Sequence, residues 1–183
     1  MKKDILAVFA GVIVVIILIM GTDFQTVDEY YLTHIDDITS ESETVTMTIE
    51  CKTVLDNMDS LDSNIVSYIP DDGIILKKTE YVLRQGDTVF DILNRVTRYN
   101  KIQMEYQGAD LNKYGSAYIE GINYLYEYSC GELSGWMYSV NDKFPEYGCS
   151  NYKLKDGDNI KWSYTCDLGR DVGCTWMGNN NEK

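Results

Sequence analysis

The clearest pattern in the chain begins at Thr44. Val45, Met47, Ile49 and Cys51 alternate with Thr44, Thr46, Thr48 and Glu50, the period-two signature of a strand with one face buried. From Thr53 to Asp62, Val54, Leu55, Met58 and Leu61 fall at helical spacing, which predicts a short helix before a turn at Pro70-Asp71-Asp72-Gly73. A second strand is expected over about Glu80 to Leu83. The strongest helical signal follows Gly86: Val89, Ile92, Leu93 and Val96 lie at i, i+3, i+4 and i+7 on one face, with Asp87 placed to cap the free N–H groups. This helix should lie across a sheet.

Beyond it, Ile102 to Tyr106, Ala117 to Ile119 and Tyr124 to Tyr128 are short β-like pieces separated by Gly108, Gly115 and Gly121. Trp136 to Val140 reads as a strand turned by Asn141-Asp142. A further turn at Lys155 to Asp158 leads into Ile160, Trp162, Tyr164 and Cys166, which alternate inward. One well-formed helix among five to seven strands predicts an α+β domain: a β-grasp-like curled sheet with one main packed helix.

The N-terminal pattern differs. No charged residue occurs between Asp4 and Asp23, and Ile5 to Met20 is an apolar run behind Lys2 and Lys3. At 1.5 Å per residue the charge-free stretch reaches roughly 27 Å, enough for a transmembrane helix. The residues after it offer no small-x-small cleavage pattern, which favours an uncleaved signal-anchor over a signal peptide. Positive residues before the span and an acidic chain after it place the remainder outside the cell. The expected organisation is an anchor over 1–22, an acidic stalk over 23–43, one domain over 44–173 and a polar tail over 174–183. The expected location is the cell membrane, single-pass, with the C-terminal domain extracytoplasmic.

The net charge of −13 makes nucleic acid an unsuitable partner. Five cysteines lie on the expected outer side, where disulfides persist, and the absence of any Cys-x-x-Cys pair argues against zinc. In a β-grasp fold the first and last strands run parallel and adjacent, which predicts a Cys51–Cys166 bridge. Cys130 and Cys149 would then pair across the segment containing Trp136, with Cys174 spare. The alternative is that some of these thiols are simply small buried side chains.

Catalytic constellations are missing. His34 is the single histidine and falls in the stalk, so no Ser-His-Asp or Cys-His arrangement can form within the domain. Asp71-Asp72 and Asp156/Asp158 sit in glycine-containing turns, where local hydrogen bonding accounts for them. The expectation is a protein that is not an enzyme, needs no cofactor and holds no metal. Trp136, Tyr138, Trp162 and Tyr164 can stack on a flat ligand, or equally serve as core and rim packing.

From about Thr44 to Gly173 the chain resembles a family of bacterial secreted or surface modules, the domain of unknown function numbered 4430. The resemblance rests on Gly86-Asp-Thr-Val-Phe-Asp-Ile-Leu93, Ser116-Ala-Tyr-Ile-Glu-Gly-Ile-Asn123, Cys130-Gly-Glu-Leu-Ser-Gly-Trp-Met-Tyr-Ser-Val-Asn141, Tyr147-Gly-Cys-Ser150, Leu154-Lys-Asp-Gly-Asp158 and Trp162-Ser-Tyr-Thr-Cys-Asp-Leu-Gly169. That family in turn resembles the C-terminal β domain of transcobalamin and intrinsic factor, where a loop between strands touches the bound corrinoid. Carried over by position, the resemblance implies a ligand-facing element at Asn141 to Ser150 and the strand before it, with Trp136, Tyr138, Asn141, Phe144, Tyr147 and Ser150 as its candidate residues. The vitamin carriers complete their pocket with a large helical barrel, which this sequence does not contain, so a cobalamin site here would be shallow or shared. The expected function is a membrane-anchored binding module for a corrinoid or other small ligand, or for a partner such as a surface protein or uptake system. The alternative is a structural or adhesive surface domain with no soluble ligand.

Overall fold

A computed structural model describes residues 36–174 together with Ile13, Thr26, Glu29, Tyr30 and His34. All of the expected anchor but Ile13, and nine residues of the expected stalk, fall outside the described residues. Among the described residues no helix is long and apolar enough to cross a membrane. The chain divides into two units, 1–31 and 32–183, and the second holds all the elements below.

The architecture is mixed α+β. Strand β1 (Thr44–Glu50) pairs with the edge strand β2 (Ile74–Val82) in antiparallel fashion and with β7 (Asn159–Thr165) in parallel. Strand β6 (Gly135–Val140) closes the other edge, so the four-stranded sheet runs β2-β1-β7-β6. A second sheet, β3-β4-β5, is built from β3 (Met104–Gln107), β4 (Tyr118–Ile122) and β5 (Leu125–Tyr126). Val45, Met47, Ile49 and Cys51 are all buried, as the alternation required.

β2 is longer than expected because its middle, Lys77 to Glu80, is exposed. On an edge strand those positions face water, so the apolar alternation that reveals a strand is missing there. The helix expected over Thr53 to Asp62 reduces to α1 (Lys52–Leu55) and a 3-10 turn at Met58–Ser60. Only Val54 and Leu61 of the apolar set are buried, too narrow a face to hold a longer helix.

The main helix, α2 (Val89–Tyr99), buries Val89, Ile92, Leu93 and Val96 completely. Burying each such side chain contributes roughly 1.5–3 kcal/mol. They join Met47, Ile49, Ile122, Ile160 and Trp162 in the larger of two core clusters.

The expected cap at Asp87 is corrected. Thr88 is the N-cap, in a reciprocal capping box with Asp91. Asp87 instead accepts from the buried Arg95 at 2.7 Å and from the Arg84 backbone N–H at 2.9 Å. Arg95 also donates to the Val82 carbonyl, so the helix is riveted to β2 by a charge that has left water only with its partner.

Neither expected disulfide is present, and the five cysteines are free thiols. Cys130 and Cys149 belong to different core clusters, and Cys166 turns its sulfur to Thr53 Oγ1 at 3.7 Å rather than to Cys51. Cys174 is buried rather than spare in a polar tail.

Candidate functional site

The β6–β7 ribbon carries two cross-strand aromatic pairs, Trp136 opposite Tyr164 and Tyr138 opposite Trp162. Their ring centroids lie 5.3 Å and 5.5 Å apart, within the range where aromatic pairs attract. A type I′ turn at Asn141 and Asp142, both left-handed with φ of 52° and 60°, ends β6 by pairing Val140 with Lys143.

Where β6 approaches β4, the two sheets leave an open groove of about 700 Å³. Its floor is Ile119, Trp136, Tyr138 and Trp162. Tyr114 and Tyr118 form one wall, with rings stacked at 5.5 Å, while Tyr128 and Leu133 come from the turn before β6 and Tyr147 from the loop after it. Tyr114, Tyr128 and Tyr147 are 61%, 65% and 55% exposed, so the rim presents aromatic surface to solvent. Tyr128 reaches the rim with a left-handed φ of 64°, a conformation that bulky side chains seldom adopt. The charged residues along the groove are Glu127, Glu132 and Glu146.

The polar atoms of this region are mostly engaged. Trp136 Nε1 donates to the Leu125 carbonyl at 2.8 Å, and Tyr138 Oη donates to the Tyr147 carbonyl at 2.6 Å, holding the 145–149 loop against β6. Tyr118 donates to Glu127. Burial, followed by that bond to a carboxylate, pushes the Tyr118 phenol above its ordinary pKa. Burial does the same to Tyr138, so both remain hydrogen-bond donors throughout the neutral range.

One donor is the exception. Trp162 is 2% exposed and its indole Nε1 has no hydrogen-bond partner. A buried N–H left unpaired costs roughly 1–3 kcal/mol, and this residue lines the groove.

Of the six residues carried over by resemblance, Trp136, Tyr138 and Tyr147 line the groove together. Asn141, Phe144 and Ser150 do not. Asn141 bonds to Asp158 and to the Asn159 backbone, holding the turn. Ser150 Oγ pairs with Ser116 Oγ and accepts from the Ala117 N–H, tying the loop to the start of β4. A side chain at Gly148 would strike Ser116 Oγ at 2.1 Å, so this seam needs glycine.

The residues that sequence reasoning missed as groove walls are Tyr114, Tyr118 and Tyr128, whereas Trp162, weighed there as a stacking residue, lies in the floor. The surplus of tyrosine, 15 against 4 phenylalanines, was the signal that an aromatic, partly wet surface existed.

No group of side chains suited to a metal ion occurs among the described residues. The carboxylates weighed as catalytic pairs are structural: Asp72 accepts from the Ile74 N–H and Asp158 from the Lys155 N–H within turns, and Asp156 accepts from the Thr44 N–H at the start of β1.

Among solved structures, the chain is similar to haptocorrin in complex with Cbi, with 11% identity and a TM-score of 0.46. That alignment covers 73% of this chain and 27% of haptocorrin's, so the chain spans about a quarter of that protein. It is also similar to a protein from Ruminococcus gnavus ATCC 29149 that carries only a provisional metal-binding description, with 10% identity and a TM-score of 0.39, over 67% of this chain and 96% of that one. No curated protein matches the sequence. Residues 86–166 match the family model described as Domain of unknown function (DUF4430). This segment runs from the approach to α2 through β7 and contributes nearly all of the groove, so the aromatic site lies in the part of the chain that is similar to the domain of unknown function 4430.

Proposed function

We propose that this domain is a non-catalytic binding module whose aromatic groove takes a small, flat ligand bearing carbonyl groups. The observation that carries the reading is the unpartnered Trp162 indole at the floor of a groove walled by tyrosines. A ligand carbonyl would give that N–H its acceptor, the tyrosine faces would cover the ligand's plane, and the glutamates at the rim would accept from ligand N–H groups. A corrinoid, with a broad ring and a fringe of carboxamides, has this chemistry. It is the ligand class to which the family resemblance points.

The groove is open and about 700 Å³ in volume, so such a ligand would be held on one face, with the other left to solvent or to a partner such as a surface protein or uptake component. The parallel β1–β7 pair between antiparallel neighbours supports a β-grasp-like description of the main sheet. An extracytoplasmic setting behind an N-terminal anchor is part of the same proposal, supported by Lys2, Lys3 and the charge-free run that follows. The exposed rim of Tyr114, Tyr128, Leu133 and Tyr147 favours a second reading, a structural or adhesive domain whose groove docks another protein.

Calorimetric titration with cobalamin and cobinamide tests the first reading. Saturable heat with affinity lowered about tenfold in Trp162→Phe and in Tyr147→Ala is the expected result. Absence of saturable heat at millimolar ligand would remove the corrinoid and leave the protein partner.

A further inference from the structure

Three of the five cysteines converge on one place. Cys51 and Cys130 are buried in the smaller core cluster with Val54, Leu61, Leu125 and Tyr164, and Cys166 packs against it half-buried. Cys130 arrives on the turn between β5 and β6, while Cys166 is the first residue after β7.

The sulfurs of Cys130 and Cys166 reach the same stretch of chain. Cys130 Sγ donates to the Asn57 carbonyl at 3.5 Å and Cys166 Sγ to Thr53 Oγ1 at 3.7 Å. The Asn57 side chain is itself bonded to the Thr53 carbonyl at 2.7 Å, so these acceptors are held one helical turn apart. Cys166 thus packs on the cluster that buries Cys130. Burial, and next the hydrogen bond with Cys130, push the Cys166 thiol up to about 12.

Cys149 has a different setting. Its sulfur lies against the Ala117 carbonyl at 3.3 Å inside the larger cluster.

We propose that Cys130 and Cys166 are an oxidisable pair that closes into a disulfide, joining the β5–β6 turn to the end of β7. The oxidant is a low-molecular-weight disulfide. Cys166, the more exposed of the two, loses its proton and attacks one sulfur of that disulfide, breaking its S–S bond and releasing one thiol. Cys130 then loses its proton and attacks Cys166 Sγ, displacing the second thiol. Two cysteine thiols are oxidised, one external disulfide is reduced to two thiols, and the protons are conserved.

The bridge closes the chain that contains β6, the 145–149 loop and β7, and therefore most of the groove's floor. Its formation does not depend on what the groove binds.

The test is peptide mapping of the full chain under non-reducing conditions, after equilibration with oxidised glutathione at mildly alkaline pH. The expected product is one cross-linked pair containing Cys130 and Cys166, with Cys51 and Cys149 alkylated only after denaturation. Reduction should then lower the Tm by about 10 °C, the scale for a loop of this length. Cys130→Ser and Cys166→Ser should each abolish the redox-dependent shift, and Cys51→Ser should retain it. A Cys51–Cys166 or Cys130–Cys149 cross-link, or Cys130 and Cys166 both alkylated once the oxidised protein is denatured, would overturn the proposal.

Discussion

Two ends of the same buried face of the main sheet, the α2 side beside β2 and the groove side beside β6, treat buried polar groups in opposite ways. On the α2 side even a full charge is accommodated: Arg95 is 5% exposed, yet it has both the Asp87 carboxylate and the Val82 carbonyl. On the groove side a neutral indole N–H, far easier to satisfy, is left without an acceptor. A chain that pairs its most demanding buried group has the means to pair a lesser one. On the function proposed above, the contrast marks the place where a ligand acceptor would complete the pairing.

The largest effect should come from breaking the closed side. Arg95→Met strands Asp87, whose side chain is only 11% exposed, and should cost about 3–5 kcal/mol in urea unfolding. Ligand affinity of the remaining folded protein should not change.

Next is the junction between the two sides, where Tyr164 Oη donates to the Tyr126 carbonyl at 2.7 Å and meets Ser134 Oγ at 2.9 Å. Tyr164→Phe should cost about 1–3 kcal/mol by the same measurement.

Trp162→Phe sharpens the contrast most. Stability should change by no more than about 1 kcal/mol, because a stranded donor is lost along with some packing. Ligand binding should weaken by about tenfold. A large loss of stability with unchanged binding would show the indole to be ordinary core.

The smallest effect concerns Asp36. Its hydrogen bond with Arg84 holds the carboxyl below the usual carboxylate range. Because the folded-state pKa is depressed, the contribution is present above the unfolded value, near 3.9, and is lost as pH falls through the folded one. Asp36→Asn should remove that acid-limb dependence at a cost below about 1 kcal/mol, read from urea midpoints between neutral and strongly acidic pH.

What the sequence made legible was local periodicity tied to burial. The alternation at Val45 to Cys51 and the spacing of Val89 to Val96 each correspond to an element in place. The cap was misassigned because Asp87 and Thr88 are both good cap residues. The choice between them was made by Arg95, two turns further along, which drew Asp87 away. The candidate site was half legible. Trp136 and Tyr138 stand on a readable strand, whereas Tyr114, Tyr118 and Tyr128 meet them only through the packing of one sheet on another. The expected thiol pairs are absent because Cys130 and Cys149 fall in different core clusters and Cys166 faces Thr53.

The parallel pairing of β1 with β7, from Thr46 against Asn159 to Glu50 against Ser163, has a mechanical consequence. The start of β1 and the end of β7 lie at opposite ends of their shared ladder. Tension between those two points slides the strands past each other and loads every rung of the shared ladder at once, instead of peeling the rungs one by one. The most stretch-resistant part of the molecule thus lies between those two points, and Trp162 of the groove's floor stands on β7, inside the loaded ladder.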